Sequence, residues 1–178
     1  MNKTILISIK SKWVAKILNG EKTIEIRKTM PKCDLPIDVY IYCTKGNGLL
    51  RLNGKRSYYV KGKVVAKFTL NKVEEIKFNN NFNNYYIDRH TEENVGEITL
   101  GIASCLCHKE LNDYLKEDTG YAWHISNLVI FDRPKELSEF YKRQCPLICM
   151  HKYTYYCDIC SNRLTKAPQN FCYVEVEE

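Results

Sequence analysis

The chain lacks any long apolar run. Nothing in its 178 residues approaches the roughly 18 consecutive apolar positions a membrane-spanning helix needs. The opening Met1-Asn2-Lys3-Thr4-Ile5-Leu6-Ile7 has too short an apolar run, and no small-residue cleavage site, for a secretory signal. A cytoplasmic location away from membranes is the expectation. No internal repeat is visible. Acid is scarce in the first third: Met1 to Lys67 holds 15 Lys and Arg against 4 Asp and Glu, a balance of +11, while the remainder holds 12 against 17, or −5. So basic a stretch attracts polyanions, of which nucleic acid is the usual one, unless its lysines merely keep the surface soluble. Nine cysteines are an odd number, and without an export signal they read as reduced thiols rather than a disulfide framework. The length suits one domain with a sizeable core.

What the chain does have is concentrated in Gly20-Glu21-Lys22-Thr23-Ile24-Glu25-Ile26-Arg27. The segment before it reads as a helix, with Ser11 as N-cap and Trp13, Val14, Ile17 and Leu18 as its apolar stripe. Gly20 stands where a left-handed helix end needs a residue without Cβ. A strand follows, with Thr23, Glu25 and Arg27 on one face and Ile24 and Ile26 on the other. Lys22 has the parity of the isoleucines and joins the polar group only from within the turn. Spacing alone also fits an ordinary helix–strand connection with a solvated charged face.

Alternation predicts further strands at Thr4–Lys10, Asp38–Cys43, Val64–Leu70, Glu97–Ala103, Tyr121–Ile125, Leu128–Phe131 and Phe171–Val176. Helices are predicted at Lys109–Lys116, with Leu111, Tyr114 and Leu115 inward, and at Lys135–Tyr141 after Pro134. Met30–Pro36 and the Asn-rich stretch Asn79–Asn84 read as loops. Gly46-Asn47-Gly48 and Asn53-Gly54 mark turns in Lys45–Lys61, a surface hairpin or a loop that grips phosphate with Lys45, Arg51, Lys55, Arg56 and Lys61 while Tyr58 and Tyr59 stack on bases. Many strands with short helices predict an α+β fold, a small, partly open mixed β-barrel with short flanking helices.

The pattern Gly-x-Lys-x-x-Glu-x-Arg, met by Gly20, Lys22, Glu25 and Arg27, resembles the signature of the ASCH domain, a branch of the PUA-like superfamily. Tyr121-Ala122-Trp123-His124-Ile125-Ser126-Asn127-Leu128, Pro134-Lys135-Glu136-Leu137 and Ala167-Pro168-Gln169-Asn170-Phe171-Cys172-Tyr173-Val174-Glu175 are also similar to bacterial and phage ASCH proteins. The resemblance implies a PUA-like barrel over 1–140, with 141–178 supplying a cysteine-bearing appendage and the closing strand of the same domain. It also implies a binding cleft beside the signature. Lys22, Glu25, Arg27, Lys10 and Lys12 would line it, with Trp123 as an aromatic wall and His124 as a titratable ring, and RNA or a modified nucleotide would occupy it.

Some small ASCH proteins are amidohydrolases that remove an acyl group from N4-acetylcytidine with a lysine, a threonine and a glutamate. Lys22 falls on that lysine, but Glu25 stands where the threonine would, so Lys22 and Glu25 would act without a hydroxyl nucleophile, Glu25 as a general base on water. RNA cleavage is a further activity of the family, and a protein-adaptor role in transcription a further function. No cofactor is expected for the chemistry. Cys145-x3-Cys149 and Cys157-x2-Cys160 match a structural zinc site, with His151 and Cys172 as substitutes, or are reduced thiols of a freely varying loop. Cys105 and Cys107 are expected in the core.

Overall fold

A computed structural model describes residues 4–46, 50–52, 56–58, 61–87, 96–142 and 163–176, with the side chains of 50–52, 56–58 and 96–99 outside that description. The elements run β1 (Thr4–Ile9), α1 (Ser11–Leu18), β2 (Ile24–Arg27), β3 (Ile37–Cys43), β4 (Leu50–Leu52), β5 (Arg56–Tyr58), β6 (Lys63–Leu70), β7 (Val73–Asn79), β8 (Asn84–Ile87), α2 (Gly96–Ser104), α3 (His108–Leu115), β9 (Gly120–His124), β10 (Ser126–Lys135), β11 (Phe140–Lys142) and β12 (Phe171–Val176). No described helix is long and apolar enough to cross a membrane.

The expected α+β class is met, but the barrel is not. Six strands form one sheet in the order β10-β6-β3-β1-β12-β11, four form a second in the order β2-β9-β7-β8, and β4 pairs with β5 alone. The sheets meet at two corners, where β6 turns into β7 and β9 into β10. There the amide of His124 donates to the carbonyl of Lys72 and the Ser126 hydroxyl to Oδ1 of Asn71. Away from the corners, β2 approaches β1 and β12 through side chains in place of a ladder: Arg27 donates to the carbonyl of Ser8 and to Oδ1 of Asn170. That open seam is why the sheets do not close.

Three buried clusters line the two sheets, one of them Leu6, Tyr42, Val64, Phe140, Leu164 and Val174 on the other face of the six-stranded sheet. Ile5, Ile7, Val39, Ile41, Phe68 and Trp123 are buried against α1 through Val14 and Ile17. Ile24, Ile26, Ile76, Ala122 and Leu100 are buried with Leu111 and Leu115 of α3. Both faces of β2 are therefore covered.

Helix α1 ends in a Schellman motif: the amide of Gly20 donates to the carbonyl of Ile17 and that of Glu21 to the carbonyl of Lys16, at 2.9 Å each. The motif needs the left-handed residue, and Gly20 has φ +73°. A Cβ at Gly20 would meet nothing within 4 Å, so Gly20→Ala tests backbone strain alone. It is expected to cost about 1 kcal/mol in urea unfolding, and Gly20→Asn less. Ser11 is not the N-cap. Lys10 holds that place, with no side-chain cap bond, and Ser11 begins the helix.

Four other expectations change. Glu97–Ala103 lies in helix α2, not a strand. Asn79–Asn84 is the tip of the β7–β8 hairpin, two strands that the polar composition concealed. Lys135–Tyr141 is the end of β10, a 3-10 turn at Leu137–Glu139 and the start of β11. Cys105 is half-buried and Cys107 exposed as the N-cap of α3, so neither is core.

Candidate functional site

The Schellman turn places Lys22 just before β2, so it joins the polar face despite its parity. Its ammonium is 3.3 Å from Oε2 of Glu25, and NH2 of Arg27 is 3.1 Å from Oε1 of the same carboxylate. The face is not solvated: Lys22 is 2 % exposed, Glu25 7 % and Arg27 6 %. Charges this deep hold only when paired and hydrogen-bonded. Lys22 donates to the carbonyl of Ser104 at 2.6 Å, the last residue of α2, where unpaired carbonyls and the negative end of the helix dipole favour a cation. The amide of Thr23 donates to the neighbouring carbonyl of Ala103. Helix α2 is thus the missing partner of Lys22, supplied from 82 residues away.

This cluster floors a cavity of about 700 Å³ in the seam between the sheets. Helix α1 contributes Lys12 and Trp13, with Lys10 just before it, and α3 contributes Glu110, Asp113 and Tyr114. Of the expected set, Lys10, Lys12, Lys22, Glu25 and Arg27 all line it. Two do not. Trp123 pairs with Glu25 across β9 and β2 and shares its face, but it is 0 % exposed, packed edge-on to Phe171 at 5.1 Å in the first core. His124 pairs with Ile24 and binds Glu74, Nε2 to Oε2 at 2.5 Å, with Lys72 on the other carboxylate oxygen at 2.8 Å.

The aromatic walls are Trp13 and Tyr114 instead. Lys12 places its ammonium 4.0 Å from the Trp13 ring centroid, and Lys22 lies 5.4 Å from it. Burial pushes the Tyr114 phenol above its ordinary pKa, with Glu25 adding to the rise and Arg27 opposing it. Tyr114 therefore keeps its proton at neutral pH. Tyr114 is not inward with Leu111 and Leu115 as expected: it is 39 % exposed, on one stripe with Glu110 and Asp113 at i, i+3 and i+4, a spacing that could have placed it at the rim.

Cys145, Cys149, Cys157, Cys160 and His151 lie outside the described residues, as do the side chains of Arg51, Lys55, Arg56, Tyr58 and Tyr59. Among the described residues no group of three His, Cys, Asp or Glu is placed to hold a metal.

Neither a protein-family model nor a curated protein matches the chain. Solved structures do. The crystal structure of ASCH from Zymomonas mobilis is 18 % identical with a TM-score of 0.52, covering 75 % of this chain and 73 % of that one. Two variants of that protein match similarly. The one with serine changed to alanine is 18 % identical at TM-score 0.52, covering 75 % of this chain and 74 % of its own. The one with tyrosine changed to phenylalanine is 17 % identical at TM-score 0.51, covering 75 % and 76 %. The fold is that of an ASCH domain. In this fold Gly20 sets the turn before β2, and Lys22, Glu25 and Arg27 floor the cavity.

Proposed function

We propose that the cavity binds a nucleotide, either free and modified or within single-stranded RNA. The observation that carries this reading is the buried floor, two cations on one carboxylate, opening into a hollow large enough for one nucleotide. Lys22 donates one N–H to the carbonyl of Ser104 and ion-pairs with Glu25, with its ammonium at the cavity floor. Glu25 offers an acceptor to a base amino group, Trp13 and Tyr114 offer stacking faces, and Lys10 and Lys12 offer charge for phosphate. The likeness to a bacterial ASCH structure supports this reading at the level of the fold alone.

Hydrolysis of an acylated nucleoside is the second reading, favoured by the contact of Lys22 with Glu25. It is the weaker one. Glu25 stands where the ASCH amidohydrolases carry their hydroxyl nucleophile, and each of its oxygens faces a cation. The two readings separate in one experiment. Purified protein is expected to bind single-stranded RNA or nucleotides with an affinity that falls as salt rises, and Lys22→Ala to abolish that binding. Turnover of N4-acetylcytidine that disappears in Lys22→Ala would replace the binding reading with the hydrolytic one.

A further inference from the structure

Lys12 does two things at the mouth of the cavity. Its ammonium lies over the Trp13 ring, and it donates to Oε1 of Glu110 on α3 at 3.1 Å. It thereby straps α1 to α3 and covers an aromatic wall that a base would need. The two ends of the strap are held differently. Glu110 is fixed within its own helix, because its other oxygen accepts from the amide of Cys107 at 3.3 Å in a capping box. Among the described residues Lys12 has only the ring and the strap. The side chains are 60 % and 39 % exposed, so the pair is worth little and is readily exchanged for a stronger anion. A ligand that stacks on the Trp13 face under Lys12 displaces Lys12, and a phosphate group would give Lys12 a better partner than the one it leaves.

We propose that Lys12 is a displaceable gate, and that the ligand it admits carries a phosphate that takes Lys12 from Glu110 as the base takes Trp13. This rests on the nucleotide reading and names the chemistry that opens the site: a nucleoside phosphate, seated on the α1 rim. The α3 rim, with Glu110 and Asp113, repels the same group.

The test titrates the four ribonucleosides, their 5′-monophosphates, and a single-stranded RNA pentamer with and without a 5′-phosphate. Each is titrated by calorimetry into the wild type, Lys12→Ala and Glu110→Gln. Alanine is a good helix former, and glutamine at the third helical position keeps the capping box, so both variants should fold. The wild type is expected to prefer at least one monophosphate over its nucleoside by roughly tenfold. Lys12→Ala should reduce that preference to within about twofold, weakening the monophosphate while leaving the nucleoside unchanged or tighter. Glu110→Gln should tighten the monophosphate by roughly two- to fivefold, since it frees Lys12 from the strap. A pentamer that needs its 5′-phosphate identifies a chain end as the phosphate source, and one that does not identifies an internal phosphate; either supports the gate. Equal affinity for nucleoside and monophosphate in the wild type, or a preference that survives Lys12→Ala, overturns the gate and leaves the nucleotide site standing. Absence of binding by every nucleoside, nucleotide and pentamer overturns both.

Discussion

Glu25→Ala should destabilise the folded protein by about 3–5 kcal/mol and abolish ligand binding. Among the described residues Glu25 is the only anion in the buried cluster, and it touches both cations. Without it, Lys22 and Arg27 remain buried with like charge and no counter-ion between them. Removing one member of a buried pair costs more than the pair itself contributes, because the remaining charge is stranded. Lys22→Met should cost less. It leaves the Glu25–Arg27 pair neutral and intact, and forfeits chiefly the bond to the carbonyl of Ser104. The double variant Lys22→Met, Glu25→Ala should therefore be less damaged than the sum of the two single changes, with Arg27 still held by Ser8 and Asn170. Urea unfolding of all three variants checks the order. At this chain length the Glu25→Ala loss corresponds to a fall in Tm of roughly 6–20 °C. A loss below about 1 kcal/mol would place the cluster in solvent and remove the floor of the cavity.

The floor itself was legible. Strand parity grouped Glu25 with Arg27, and a glycine after an amphipathic helix placed Lys22 in the turn beside them. Its burial was not legible, because period-two alternation describes a solvated polar face and a covered one equally well. What covers it comes from far along the chain: the end of α2 at Ser104, the α3 stripe, and Asn170 beside β12. Helix α2 was hidden by its own composition. Ile98, Thr99 and Ile102 are β-branched, and the segment has no polar stripe to betray a 3.6-residue period. It is helical where its carbonyl end can meet Lys22 and the amide of Thr23, so tertiary context overrides propensity. The barrel expectation failed for a related reason. Strand patterns reveal which faces are apolar, but not whether two edges pair. Here the edge of β2 meets β1 through the Arg27 guanidinium instead of backbone bonds.

Trp123 separates the two pictures of the site most sharply. A tryptophan beside a titratable histidine suggested a stacking wall, yet register puts its indole next to Glu25 and then seals it under the floor, against Phe171 and the first core. Trp123→Ala should cost about 3–5 kcal/mol, as expected for emptying a large buried aromatic site, and binding would then fall only because the floor collapses. Trp123→Phe is the informative change. Among the described residues the buried indole Nε1 has no hydrogen-bond partner, so phenylalanine loses no bond and removes a stranded donor. Its cost reduces to the missing volume, about 1–2 kcal/mol. Ligand affinity in Trp123→Phe should stay within about threefold of wild type, while Trp13→Ala, which removes the half-buried cavity wall, should weaken it by at least tenfold. The reverse pattern would show that the ligand reaches the indole of Trp123. The binding surface would then extend past the charged floor on the same face of the sheet, toward the first core, and the charged cluster would serve only to hold the two sheets together at their seam.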